Sequence, residues 1–388
     1  MTIGVPKETR PGERRVALVP AAIPALVKAG LSVLVEAGAG ERAGFPDAAY
    51  REKGATIAAN RGQIFADAEV ILEVNGLGTN PEAGRADLPL MRRDQGVIGF
   101  FDPLGAPEQV RELAERGVTA FAMELMPRIT RAQSMDALSS MATVSGYKAA
   151  LLAAAILPRM FPLLMTAAGT VTPARVLIMG AGVAGLQAIS TARRLGAVVE
   201  AYDVRPAAKE QVESLGAKFL ELSIAADNAE EKSGYARALG EEFYVRQREL
   251  IAGAIGRYDV VITTAAVPGQ KAPVLITGEM VSKMAPGSVI VDLAAERGGN
   301  CELTRPGETV NAHGVTILGP TELPATVPYH ASQMYARNIS TFLLHLVKDG
   351  KLALDLEDEI TRETLVARGG EVVHPRVRQA LGLVPVAS

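Results

Sequence analysis

Residues 176–185 read VLIMGAGVAG, and their interpretation decides the fold. Gly180, Gly182 and Gly185 stand in the spacing G-x-G-x-x-G, a weak signal alone because glycine-rich turns are common. The surroundings strengthen it. An apolar strand, Val176–Met179, leads in. A helix follows with Leu186, Ile189, Ala192 and Leu195 on one face and Gly196 as its stop. The next strand, VVEAYD, ends at Asp203, 23 residues beyond Gly180. A dinucleotide-binding turn needs this order: Gly180 for the tight turn, Gly182 so that a pyrophosphate can approach the backbone, Gly185 so that helix and strand pack closely. The helix opening at Val183 offers its N–H groups to the phosphates, and Asp203 accepts from the adenosine ribose hydroxyls. The alternative is an ordinary βαβ turn with a chance acid at the strand end.

Cofactor choice follows from charge. A carboxylate at Asp203 repels a 2′-phosphate, which favours NAD(H) over NADP(H). Beside Val204, Arg205 argues the other way unless it is simply a solvated arginine at a strand end. A second glycine-containing loop, TTAAVPGQKAP (263–273), follows the apolar run Val260–Thr263. Its Thr264, Ala265 and Pro268 lie at the C-terminal end of a parallel strand, where such folds bind ligands. They are candidate contacts to the nicotinamide side, or part of a plain turn.

Working outward, strand-like runs at Val176–Met179, Val198–Asp203, Val260–Thr263, Ser288–Asp292 and Val315–Leu318 alternate with helical patterns. An earlier series does the same, with strands at Thr2–Pro6, Ser32–Glu36, Val70–Val74, Val97–Phe101 and Val118–Met123. Repeated βα units build parallel sheets covered by helices. The expectation is an α/β protein of two Rossmann-like, doubly wound parallel-sheet domains joined by long helices. The first is discontinuous, residues 1–130 plus 330–388, and the NAD(H)-binding domain is 131–329. A helix over Ser134–Leu157 bridges them, a second spans Met334–Val347, and the charged stretch 227–244 suits a mobile surface loop.

Bulk properties exclude several classes. The 388 residues suit two domains, and 48% hydrophobic with 21% charged residues is globular, not disordered. A net charge of −3 with no basic stripe excludes nucleic-acid partners. The single Cys301 allows no internal disulfide and suits a reducing compartment. Lys7, Glu8, Arg10, Glu13, Arg14 and Arg15 occupy the place where a signal peptide needs an apolar run. The most apolar stretch, residues 149–169, is interrupted by Pro158, Arg159 and Pro162, too early for a spanning helix. It reads as a buried helix followed by a strand or hairpin, with no direct membrane insertion. No metal site is expected.

The stretch ELMPRITRAQSMDALSSMATVSGY (124–147) concentrates Arg128, Arg131, Gln133, Asp136, Ser139 and Ser140. If Ser134 caps a helix, Asp136, Ser139 and Ser140 share one face by the i, i+3, i+4 rule. Spacing alone does not separate a binding constellation from a helix start with polar caps.

That stretch, with MTAAGTVTPARVL (165–177), GVAGLQAI (182–189), KEQVESLGAKF (209–219), SGYA (233–236), APVLIT (272–277) and GGNC (298–301), resembles the NAD(H)-binding component of proton-translocating NAD(P) transhydrogenases over essentially the whole chain. The resemblance implies direct, Si/Re-specific hydride transfer from NADH on this chain to NADP+ on an NADP(H)-binding subunit. It also implies coupling through a membrane-spanning proton-channel subunit, and a homodimer joined partly by an apolar hairpin near Phe161–Val176. The place implied is cytoplasmic, peripheral to the inner membrane through those partners. By the same resemblance Arg128, Gln133, Asp136 and Ser139 surround the nicotinamide, and Tyr235 lies on a loop that closes over the nucleotide.

VPKETRPGERRVALVP (5–20) also resembles alanine dehydrogenase. That enzyme uses a lysine and a histidine in its first domain, because proton transfer needs a group within reach of the reacting atom. Here VILEVN has Glu73 and GFFDPL has Asp102. The histidines, 313, 330, 345 and 374, all lie later. Hydride transfer between two nicotinamides needs no protein acid or base at that step. The third alternative, a non-catalytic NAD-sensing module, would not require the 128–139 constellation.

Overall fold

The computed structural model describes residues 1–221, 241–266 and 269–384. The chain divides into two compact units, residues 1–141 with 324–388, and residues 142–323. These boundaries differ from the expected 130 and 330, because the segment after Met126 stays packed within the first unit.

In the first unit β1 (Thr2–Val5), β2 (Ser32–Glu36), β3 (Thr56–Ala58), β4 (Val70–Asn75), β5 (Gly96–Phe100) and β6 (Thr119–Ala122) form a parallel sheet. Strands β4 and β5 are buried along their whole length, which is why GVIGF and the start of VILEVN read as apolar runs, with Glu73 and Asn75 the buried polar exceptions. The order β6-β5-β4-β1-β2-β3 reverses direction between β1 and β4. A helix Pro107–Arg116 opens on a proline and stops at Gly117; it buries Val110, Leu113 and Ala114 against the sheet core.

In the second unit β7 (Leu164–Thr166) and β8 (Gly169–Val171) form an isolated antiparallel hairpin after the helix Ala137–Ile156. The main sheet comprises β9 (Arg175–Met179), β10 (Val198–Tyr202), β11 (Lys218–Phe219), β12 (Val260–Thr263), β13 (Val289–Asp292), β14 (Thr309–Ala312) and β15 (Val315–Leu318). Its order is β11-β10-β9-β12-β13-β15-β14, parallel except for β14. Alternation puts Val176 and Ile178 into one core and Leu177 and Met179 into the other, so both faces are covered. Each such side chain contributes roughly 1.5–3 kcal/mol by leaving water.

The C-terminal segment returns to the first unit. A small ribbon joins β16 (Val347–Lys348) to β17 (Lys351–Leu352), and β18 (Leu365–Arg368) pairs antiparallel with β6 and with β19 (Glu371–Val372). Both sheets are therefore parallel sheets edged by antiparallel strands, within a two-domain α/β architecture. Among the described residues no helix is long and apolar enough to cross a membrane.

Candidate functional site

The C-terminal edge of the second sheet gathers most of the residues singled out from the sequence. Strand β9 ends in Gly180, whose φ of +102° favours glycine and whose N–H donates to Tyr202 O at 2.8 Å. A Cβ on Gly185 would stand 1.8 Å from Gly180 O, so the helix Val183–Arg194 sits against the turn only because residue 185 has no side chain. Gly182 differs: a Cβ there would meet nothing within 4 Å. No side chain caps this helix. The turn thus offers open space in front of the positive end of the helix dipole, a fit for a pyrophosphate.

Asp203 lies just beyond β10, and one carboxylate oxygen, Oδ2, accepts from Ala181 N–H at 2.7 Å. That bond ties the acid to the glycine turn. Arg205 folds back on the same carboxylate, so it is not a solvated arginine. Val183 is the first residue of the helix, and Val204 lies between the acid and its arginine.

Thr264 and Ala265 follow β12 on the neighbouring strand. Thr264 Oγ1 donates to Gly180 O at 3.0 Å, and Thr264 N–H to Met179 O at 2.8 Å. Asn300, fully buried, clamps this loop: its Oδ1 accepts from Ala265 N–H, and its Nδ2 donates to Ala265 O and Pro273 O. Asp292, also fully buried, accepts from Thr263 Oγ1, Ala294 N–H, Cys301 N–H and Thr304 Oγ1. Sequence reasoning misses Asn300 and Asp292 as loop-shaping residues; the motif GGNC contains the first but does not show what it clamps. Cys301 is buried, and desolvation first of all pushes its thiol up to about 11. Pro268, Tyr235 and most of the expected 227–244 loop lie outside the described residues; residues 241–244 begin a helix, Glu241–Ala252.

The first unit carries the remaining candidates. The expected helix from Ser134 starts later. Residues Thr130–Met135 form a 3₁₀ segment, and the α-helix begins at Ala137. Asp136, not Ser134, takes the capping role: its carboxylate accepts from Ser139 N–H at 2.8 Å and from Ser139 Oγ at 2.5 Å. Asp136 and Ser139 are thus brought together, while Arg128 and Gln133 are exposed on the preceding segment.

The switch between β1 and β4 is filled with the unit's own side chains. Glu8 accepts from Val74 N–H at 2.6 Å and Asn75 N–H at 3.2 Å. Glu13 binds Arg15 through Nε at 2.8 Å and Nη2 at 2.6 Å, and receives Asn75 Nδ2 at 2.7 Å. Glu73 is buried with Oε1 lacking a hydrogen-bond partner, and burial above all, reinforced by Glu8, raises its pKa well above the ordinary range. Asp102 sits at a φ of +46° and donates its N–H to Glu124 Oε1 at 2.6 Å. Among the described residues no group of three or more His, Cys, Asp or Glu side chains could hold a metal ion.

Comparison with known proteins agrees with both units. Residues 4–145 match the family described as Alanine dehydrogenase/PNT, N-terminal domain, and residues 149–375 its C-terminal domain. The chain is 50% identical over 378 residues to an NAD(P) transhydrogenase subunit alpha chain of Rhodospirillum rubrum, covering 97% of this chain and 98% of that one. It is 30% identical over 391 residues to alanine dehydrogenase of Bacillus subtilis, covering 98% and 95%. The crystal structure of transhydrogenase from Sinorhizobium meliloti superposes with a TM-score of 0.85 at 45% identity, covering 96% of this chain and all of that one. With both domain matches spanning nearly the whole chain and half its residues shared with one such subunit, the protein belongs to the alanine dehydrogenase/PNT family as a homologue of NAD(P) transhydrogenase subunit alpha.

Proposed function

We propose that this chain is the NAD(H)-binding subunit of a proton-translocating, Si/Re-specific NAD(P) transhydrogenase. NADP(H) is held by a second subunit, and the proton path lies in a membrane subunit. Bound NADH supplies a hydride from its nicotinamide, a transfer that asks no proton of this chain. The chain's residues bind and orient. The turn Gly180–Gly185 with Val183 receives the pyrophosphate, Asp203 the adenosine ribose beside Val204 and Arg205, and Thr264 and Ala265 flank the nicotinamide side. Arg128, Gln133, Asp136 and Ser139 hold the carboxamide, which presents one acceptor and one donor. Holding the reacting ring in one pose is where such a protein supplies its rate.

The observation that carries this reading over an amino-acid dehydrogenase is Glu73, 4% exposed near the end of β4. An amino-acid substrate needs a cationic anchor and a base there. Glu73 is no anchor, because it would repel a substrate carboxylate; Arg61 is already held by Asp87, and Arg15 by Glu13. Two copies are joined through the β7–β8 hairpin, and attachment to the membrane is through the partner subunits.

The test mixes the purified chain with an NADP(H)-binding component and follows hydride exchange between NADH and an oxidised NADP analogue. Exchange that needs both components supports the reading. Alanine-dependent NADH formation by the chain alone overturns it. Asp136→Asn, which keeps a capping oxygen, is expected to slow exchange roughly tenfold while NADH affinity changes less than about twofold. Equal losses in both would remove Asp136 from ring positioning.

A further inference from the structure

The 3₁₀ segment Thr130–Met135 has three edges. Three residues per turn make positions i and i+3 eclipse, and the last turn is closed by Asp136 N–H donating to Gln133 O at 3.3 Å. Ala132 and Met135 form one edge and are buried. Gln133 and Asp136 form the second, which carries proposed ring contacts. Arg131 and Ser134 form the third, and both are tied to the C-terminal part of the same unit.

The ties come from two places. Arg131 Nη1 meets Asp358 Oδ1 at 2.5 Å. The acid is itself fixed: its Oδ2 lies 2.9 Å from His345 Nε2 and accepts from Thr361 N–H at 2.9 Å, as N-cap of the helix Glu359–Thr364. Asn338, on the helix Pro328–Leu346, donates from Nδ2 to Ser134 O at 2.9 Å. Asn338 is 6% exposed and its Oδ1 has no hydrogen-bond partner. A buried amide with an unsatisfied oxygen destabilises a fold, so packing alone does not explain asparagine at this place.

We propose that Asn338 and the Asp358–His345 pair are positioning residues that lock the rotation of the 130–136 segment about its own axis, so that Gln133 and Asp136 face the nicotinamide. The inference rests on the transhydrogenase reading for its catalytic consequence, but not for the tether itself. Without both ties the segment keeps the packing of Ala132 and Met135 and, at its end, the Asp136 cap on Ser139, which fix its depth and its exit but leave its rotation looser. Exposed ion pairs usually stabilise little because ordering both partners costs entropy; here Asp358 is ordered beforehand by His345 and Thr361.

Two substitutions separate positioning from folding. Asp358→Asn keeps an N-cap oxygen, since Asn caps about as well as Asp, but loses the charge that holds Arg131. Asn338→Leu removes the donation to Ser134 and the unsatisfied oxygen together, at similar volume. The full chain is compared by thermal melting, by backbone hydrogen exchange of residues 129–136, and by single-turnover hydride transfer with the NADP(H)-binding component at saturating NADH. We expect melting of Asn338→Leu to match or exceed that of the unsubstituted chain. Exchange in 129–136 should speed about fivefold or more in both variants, and hydride transfer should slow about three- to tenfold with NADH affinity unchanged. Restoring the charge in Asp358→Glu should recover some of the rate. Unchanged exchange in 129–136 in both variants would overturn the tether. An unsubstituted chain unable to transfer hydride would instead overturn the transhydrogenase reading, while hydrogen exchange still decides the tether.

Discussion

Arg205 closes its guanidinium onto both oxygens of Asp203, Nε to Oδ1 at 2.9 Å and Nη2 to Oδ2 at 3.1 Å. The acid proposed to receive the adenosine ribose is thereby the acid that occupies the arginine suited to a 2′-phosphate. If one carboxylate sets both affinities, Asp203→Asn should act on them in opposite directions. The amide keeps an acceptor for Ala181 N–H but loses the charge that holds Arg205 and repels phosphate. NADH affinity should fall roughly tenfold, the scale of a charge-assisted hydrogen bond, while affinity for NADPH rises. Titrations of both nucleotides check this; an unchanged ratio of the two dissociation constants would mean that Asp203 does not discriminate.

Gly182 and Gly185 belong to one motif yet should fail differently. At Gly182 a methyl group meets nothing within 4 Å, so Gly182→Ala should leave stability within about 0.5 kcal/mol. It should still weaken NADH binding about tenfold or more, because the methyl occupies the pyrophosphate's approach. Gly185→Ala puts a carbon 1.8 Å from Gly180 O, which forces helix and strand apart and should destabilise by roughly 3 kcal/mol or more. Melting curves beside NADH titrations distinguish the two. A strong loss of stability in Gly182→Ala would count against an open phosphate cradle.

The strand cores and the dinucleotide turn are legible in the sequence because both depend on local order. Val70–Asn75 and Arg175–Met179 are largely apolar runs, Val70–Leu72 and Val176–Met179 being buried, and the glycines need only their neighbours to have meaning. Short strands at or next to the sheet margins are not legible. Thr56–Ala58 and Leu365–Arg368 acquire their state from β2 and β6, which lie far away in sequence. The helix start is ambiguous because Ser134 and Asp136 are both good caps, and only the path of the chain shows which carboxylate or hydroxyl reaches Ser139. The three-residue repeat that buries Ala132 and Met135 is too brief for periodicity to reveal. Asn300 acts on Ala265 from 35 residues away, a contact no local pattern encodes.

The β7–β8 hairpin presents Met165 at 82% exposure, with Leu163 at 55% and Met160 at 51% beside it. Exposed apolar side chains gathered at and just before one small hairpin suit a surface for another chain. As the proposed joint between two copies, the hairpin should lose that role when charged. Leu163→Asp combined with Met165→Asp should shift the chain from dimer to monomer in sedimentation equilibrium, with little change in NADH affinity. A dimer that survives both charges would place the joint elsewhere.

Glu124 makes the first unit's stability depend on pH in a definite direction. Desolvation, partly offset by the Asp102 N–H donated to its carboxylate, raises its pKa from 4.5 to about 8. Its Oε2 is buried without a hydrogen-bond partner. Between those two values the folded chain keeps a proton that the unfolded chain has released. The carboxyl's contribution is therefore fully present below about 4.5 and is lost as the pH rises through about 8. Glu8, raised to about 7 by burial first and by Glu13 next, acts in the same sense over a lower range. Glu124→Gln keeps an oxygen for Asp102 N–H and cannot ionise. The substituted chain should thus gain on the unsubstituted one as the pH rises from about 5 to about 9, by about 2 °C or more in melting temperature. Comparing the two chains cancels the share of Glu8 and Glu73. Parallel melting-temperature profiles would show that Glu124 ionises in the fold as freely as in water.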